Sequence, residues 1–378
     1  MDTQAILRNV ETKREWIRSN LRDLVCQESP SDDRLGVNST NAMVQDFARD
    51  LGGRAKHHKQ NDFGDVLELH FGPQSSSQKP VLLLGHLDTV WPLGTLKTMP
   101  WRDANGKYWG PGVLDMKAGV VMALAAISTL RELKLTRPTT LLLNSEEEVG
   151  SPVSRAITER VALQSEAVFV LEPAQDLAYK TARKGVGLYN VQVTGIGAHS
   201  GVDFENGHSA VLELAKLVQT ISNFTNLGRK LTVNCGVIAG GTRSNVVASQ
   251  AYAEVDVRIA KASDAAHVQK LFRSLKVSDR RCKLTVTGGI NRPPMERKPG
   301  TIALFKKARK LAFELGFELD EAATGGGSDG NFTAALGIPT LDGMGAVGDG
   351  AHAAHESVVI QHLVPRTALL AAMIASVG

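Results

Sequence analysis

Residues 81–90, VLLLGHLDTV, contain an aliphatic run that stops abruptly at His86 and Asp88. A short apolar run bounded by Gly85 reads as a buried strand, so the polar residues after it stand where the strand leaves its sheet. In open α/β sheets ligands bind outside the carboxyl ends of the strands, and the question is whether other runs deliver chemistry to the same rim. Two more do: TTLLLN runs into Glu146, Glu147 and Glu148, and AVFVLEP ends at Glu172. Asp115 closes a glycine-containing turn, WGPGVLDMKAG, ahead of a long stretch of good helix formers, and His352 stands in GDGAHAAHE beyond the run IPTLDGM.

The same alternation sets the architecture. Helices are expected over residues 3–26 and 40–51, a strand over 65–71, then the central strand and further strand-helix pairs, which imply an α/β fold with a mostly parallel sheet and helices on both faces. The pattern changes near Thr181. Strand, helix, two strands, helix, strand follow, from RKGVGLYNVQVTG to KLTVTGG and the turn NRPP, which is the split βαβ order of a ferredoxin-like α+β unit. The chain has 378 residues, more than one core of ~250 to 300 residues accommodates, so two domains are expected. Residues 181–293 read as an inserted domain, and residues 1–180 and 294–378 as one discontinuous catalytic domain.

Composition excludes some functions. The net charge of +4 is spread along the sequence, with no basic cluster interleaved with aromatics, so a nucleic-acid partner is not expected. The three cysteines lack the paired spacing of a zinc ribbon or a disulfide framework. The first residues lack the apolar core of a signal peptide, and no apolar run is read as reaching the ~18 residues of a membrane span. A cytoplasmic enzyme without a membrane partner is the expectation.

Several carboxylates brought to one rim repel one another, and two divalent cations remove the conflict. Imidazole with carboxylate suits zinc, with cobalt or manganese as substitutes. Taken singly, each residue has a plainer reading. HxD after a strand is common, Asp115 can simply cap the next helix, and three glutamates in a row often form a solvated turn.

HLDTV, GVLDMKAG, EEEVGS, LEP, GAHSG and the late GAH with its following HE occur in that order over nearly the whole chain. They resemble the motif series of the two-zinc exopeptidase and deacylase family, which includes acetylornithine deacetylase, succinyl-diaminopimelate desuccinylase, aminoacylase and glutamate carboxypeptidase. The resemblance implies two Zn2+ per chain, one bound by His86 and Glu172, the other by Glu148 and His352, with Asp115 between them. It implies that Asp88 fixes the tautomer of His86 and that Glu147 is the general base. Alignment on Val149, Gly150 and Ser151 selects the last two glutamates of the triplet. The spacing to Glu356 selects His352 over His355, although a swap of those two roles stays open.

In that family the inserted domain caps the site and dimerises, so a homodimer through this domain is expected, and His199 would stabilise the oxyanion, often from the partner subunit. Asn245, Arg258 and Arg292 are candidates for holding a substrate carboxylate. Gly325, Gly326 and Gly327, ahead of a helix start at Asp329, are a candidate backbone anion site. His199 could instead belong to a turn, the arginines to surface ion pairs, and the glycines to a flexible turn. The expected activity is hydrolysis of an amide or peptide bond in a small substrate, releasing a C-terminal amino acid, with glutamate suggested by resemblance to the glutamate carboxypeptidase branch. An N-acyl amino acid deacylase or dipeptidase is the alternative. A non-catalytic metal- or peptide-binding protein would lack a ligand or the base, and none is missing.

Overall fold

The computed structural model describes residues 1–73 and 76–377. The chain forms two compact units, one of Met1–Ala182, Arg297–Thr324 and Ser328–Gly378, the other of Arg183–Glu296 and Gly325–Gly327.

The first unit is built on a six-stranded sheet. Its order is Arg54–His58, Val66–Phe71, Thr139–Asn144, Val81–His86, Ala167–Val170, Thr340–Leu341. Val81–His86 is parallel to both of its neighbours and Ala167–Val170 is parallel to Thr340–Leu341, while the first two strands join antiparallel. Alternate side chains go to opposite faces. Val81, Leu83, Leu141, Leu143 and Phe169 join the larger core with the helices Ala118–Glu132 and Ile360–Ser376. Leu82, Leu84, Leu142, Val168 and Val170 pack with Ile157, Val161 and Ala162 of Arg155–Leu163. Burial on both faces is why these strands read as continuous apolar runs.

Three expectations need correction. Residues 3–26 form two helices, Thr3–Glu11 and Arg14–Cys26, because Thr12 closes the first turn onto Asn9 through both its amide and its hydroxyl. The next helix, Arg34–Asp50, starts before residue 40, since Asp33 caps it at the Leu35 amide (3.1 Å). A segment of spanning length and apolarity does exist, Val113–Glu132, an irregular turn running into the helix Ala118–Glu132, but 89% of its apolar window is buried. Apolar composition on every face marks a buried helix as readily as a membrane one.

A small sheet of four short strands escaped the sequence reading. It runs Gly348–Asp349, Ser357–Val359, Lys107–Trp109, Arg102–Ala104. Ser357 pairs with Trp109, which fastens the loop carrying His352 to the segment leading into Asp115.

The second unit is a four-stranded antiparallel sheet, ordered Thr232–Gly240, Gln250–Ile259, Gly185–Thr194, Lys283–Arg292, with helices Ala210–Ser222 and Ser263–Arg273. Its core includes Tyr189, Val191, Val193, Leu214, Ile221, Val255 and Phe272. Burial alternates residue by residue along Gly185–Thr194, the signature of a sheet covered by helices on one face.

Candidate metal centre

The ligand-type side chains of the first unit arrive on five separate segments. His86 is the last residue of Val81–His86, and Glu172 lies two residues past Ala167–Val170. Asp115 occupies an irregular turn after Gly112 (φ 69°) and is itself extended (φ −112°, ψ 95°). Glu147 and Glu148 form a short turn after Thr139–Asn144, and His352, with φ 63°, stands in the loop between two strands of the small sheet.

The distances form a chain of contacts. His86 Nε2 lies 3.3 Å from Asp115 Oδ1 and 3.8 Å from Glu172 Oε1. On the other side His352 Nε2 is 3.2 Å from Asp115 Oδ2 and 3.1 Å from Glu148 Oε2. Donor atoms of His86, Asp115 and Glu148, and of His86, Glu147 and Glu172, lie within 4.8 Å of one another. His355 is outside this group, with Nε2 3.9 Å from Asp349. Glu146 is outside it as well. Its buried carboxylate accepts from Ser145 Oγ (2.7 Å) and from the Val153 and Ser154 amides (3.1 and 2.6 Å).

Asp88 ties the cluster together from behind. Its carboxylate accepts the amides of Glu147 and Glu148 (3.1 Å each) and the Ser31 hydroxyl (2.6 Å), and lies 3.3 Å from His86 Nδ1. The same ring nitrogen is 3.0 Å from the Asp88 carbonyl, which points Nε2 at the cluster. Ser31 gave no signal in the sequence, since nothing marks a serine so far from its partner. Backbone packing is equally tight: a Cβ on Gly119 or Gly345 would meet the carbonyl oxygen of Leu171, beside Glu172, at 2.1 or 2.2 Å.

The imidazoles and carboxylates of the cluster shift one another's protonation. Burial opposes a charge on His86, but Asp115 and Asp88 outweigh it and hold its pKa well above the usual value. Hydrogen bonding to Asp115 and then Glu148 pushes His352 up to about 10. Burial alone would raise Asp115, yet His352 and His86 hold it below the ordinary carboxylate range, whereas burial raises Glu148. The donor set also fits a cation directly. His86 Nε2 and Asp115 Oδ1 are both buried without a hydrogen-bond partner, which a shared ion would supply.

The remaining sequence candidates lie in the second unit. His199 is exposed and its Nδ1 accepts the Gly201 amide (3.2 Å), so a neutral ring carries its proton on Nε2. The Asn245 carbonyl accepts the Ser200 amide. Arg258 forks onto Asp256 (2.9 and 2.8 Å) and donates to Gly325 O (3.3 Å), and Arg292 is buried. The carbonyls of Gly326 and Gly327 accept from Arg183 (3.4 and 3.1 Å), a residue the sequence did not single out. The helix beyond them, Gly330–Ala335, is one of six residues.

Imidazole and carboxylate groups meet beside the carboxyl ends of the parallel strands Val81–His86 and Ala167–Val170, a donor set of the kind that metal-dependent hydrolases use. Residues 82–376 match the profile of Peptidase family M20/M25/M40, and the chain belongs to that family. Carboxypeptidase G2 of Pseudomonas sp. (strain RS-16) is 31% identical over 303 residues, 78% of this chain and 72% of that protein. Among solved structures, aminopeptidase PepT of Bacillus cereus has a TM-score of 0.80 at 21% identity, covering 96% of this chain and 98% of its own. The M20 family metallo-carboxypeptidase Sso-CP2 of Sulfolobus solfataricus has 0.76 at 17%, covering 95% and 98%. Those two likenesses establish the fold.

Proposed function

We propose that this chain is a two-zinc exopeptidase that hydrolyses an amide or peptide bond and releases a C-terminal amino acid, glutamate being the first candidate. The observation that carries the reading is Asp115, whose two oxygens face His86 and His352 separately. On this assignment His86 and Glu172 hold one cation, His352 and Glu148 the other, and Asp115 serves both. When bound, the cations supply a water of lowered pKa, roughly 7, and polarise the scissile carbonyl.

Glu147 takes the proton of the attacking water as its oxygen adds to the carbonyl carbon. It returns that proton to the leaving nitrogen as the C–N bond breaks. Asp88 holds His86 in the tautomer that presents Nε2, and His199, with its proton on Nε2, donates to the developing oxyanion. Asn245, Arg258, Arg292 and the amides of Gly325, Gly326 and Gly327 are assigned to the carboxylate of the released residue. For Arg258 this requires exchanging Asp256 for substrate.

A homodimer through the second unit belongs to the same proposal. It is supported by the open edge of Thr232–Gly240 and by the exposed apolar residues Leu212, Val237 and Ile238 near it in that unit. Sedimentation of the purified chain tests it, and cell fractionation tests a cytoplasmic location. The substrate class is tested by assaying the zinc-loaded protein on folyl-glutamate, N-acetyl amino acids and dipeptides. Preference for the first supports the glutamate reading, and preference for either of the others replaces it with a deacylase or a dipeptidase.

A further inference from the structure

Glu356 has no exposed surface, yet its carboxylate is saturated with donors. One oxygen accepts the Gly112 amide (2.9 Å) and the Trp91 indole (2.8 Å), the other the amides of Leu114 (2.8 Å) and Asp115 (3.0 Å). Burying a carboxylate is costly unless such bonds replace its water. Three of the four donors belong to the irregular turn that ends in Asp115. Its left-handed Gly112 and extended Asp115 leave these amides without regular helical acceptors, and a buried N–H needs one. The fourth, Trp91, follows closely on His86 and Asp88. The buried ammonium of Lys117, bonded to Gln27 O (2.7 Å), acts on Glu356 electrostatically.

Glu356 is also fixed from its own side. It lies four residues after His352, and the next residue, Ser357, pairs with Trp109. One carboxylate therefore joins the loop that delivers His352 to the turn that delivers Asp115.

We infer that Glu356 is a positioning residue of the metal centre, setting divalent-cation affinity by fixing the bridging carboxylate of Asp115 relative to His352. The inference rests on reading those residues as ligands. Groups that orient ligands from behind change metal affinity by about 10–100-fold when removed.

The experiment strips the wild type, E356Q and W91F of metal and titrates each with zinc against a chromophoric chelator, with thermal unfolding recorded in parallel. In E356Q an amide group replaces one acceptor oxygen, and zinc affinity is expected to fall about 10–100-fold. W91F removes one donor and leaves Glu356 in place, so the loss is smaller, a few-fold. A core variant, L369A, is expected to lower Tm while keeping wild-type zinc affinity. Zinc affinity within twofold of wild type in folded E356Q, or in W91F should E356Q not fold, overturns the inference and leaves the metal reading standing. A wild type that binds no zinc, cobalt or manganese overturns the metal reading itself, a separate result.

Discussion

Oδ2 of Asp115 lies 3.2 Å from Nε2 of His352, while the other oxygen of the same carboxylate faces His86 at 3.3 Å. On the proposed assignment this shared carboxylate would serve two ions. Asp115→Asn keeps the shape and removes the charge, so if the proposed two-ion centre forms, bound divalent metal is expected to fall from two ions per chain to fewer than one, with loss of hydrolysis. Metal analysis after gel filtration checks this, and two retained ions in D115N would remove Asp115 from the centre.

Metal binding should expel protons. His352, held at about 10, and His86, held well above its usual value, both carry a proton near neutrality in the metal-free chain. Ligation needs the neutral imidazole, so zinc uptake releases protons and affinity climbs with pH until about 10. For stability of the metal-free chain the sign is opposite. A pKa raised from 6.5 contributes fully below 6.5 and is lost as pH rises through about 10. Titration calorimetry of zinc into metal-free protein, in buffers of different ionisation enthalpy at neutral pH, is expected to show one to two protons released per chain. A heat independent of buffer would contradict this.

How much of this was readable beforehand depended on whether the cause was local. His86 and Glu172 were legible because a buried strand must be apolar until it ends, so the first polar residue marks the rim. The first unit's helices were legible as elements but not at their ends, which Thr12 and Asp33 decide through single hydrogen bonds. The small sheet was invisible, since strands of two or three residues have no period to detect. Ser31 and Glu356 were missed as supports because their partners, Asp88 and the turn at Gly112–Asp115, are distant in sequence and adjacent only after folding.

The three consecutive glutamates separate stability from chemistry. Glu147 sits with His86 and Glu172, so Glu147→Gln is expected to keep its metal and lose at least ~10²-fold in kcat. Glu146 is buried and supplies acceptors to the Val153 and Ser154 amides. Glu146→Gln leaves part of that demand unmet, at a cost of about 1–3 kcal/mol, with turnover of the folded protein near wild type. Steady-state kinetics and urea unfolding on both variants read the two effects apart. A reversed pattern would move the base to Glu146.

His199 offers the complementary case, a residue outside the ligand set. His199→Ala is expected to lower kcat and leave metal content at the wild-type value, because its Nδ1 is taken up by the Gly201 amide of its own loop. Loss of a metal ion in this variant would show that the second unit contributes a ligand, contrary to the role assigned to it.

Close backbone packing behind Glu172 gives the last expectation. Leu171 precedes Glu172, and its carbonyl oxygen lies where the Cβ of a residue at 119 would be, 2.1 Å away. Backbone on both sides cannot yield as a flexible side chain would, so Gly119→Ala must displace the helix Ala118–Glu132 or the strand end that carries Glu172. Overpacking of this kind costs about 1–3 kcal/mol, and the displacement falls on the residue proposed as a metal ligand. G119A is therefore expected to lose stability in urea and zinc affinity together. Gly289 is the control: its Cβ would meet nothing within 4 Å, so G289A should change neither. Zinc affinity unchanged in a destabilised G119A would mean that Glu172 is held in place by something other than this contact.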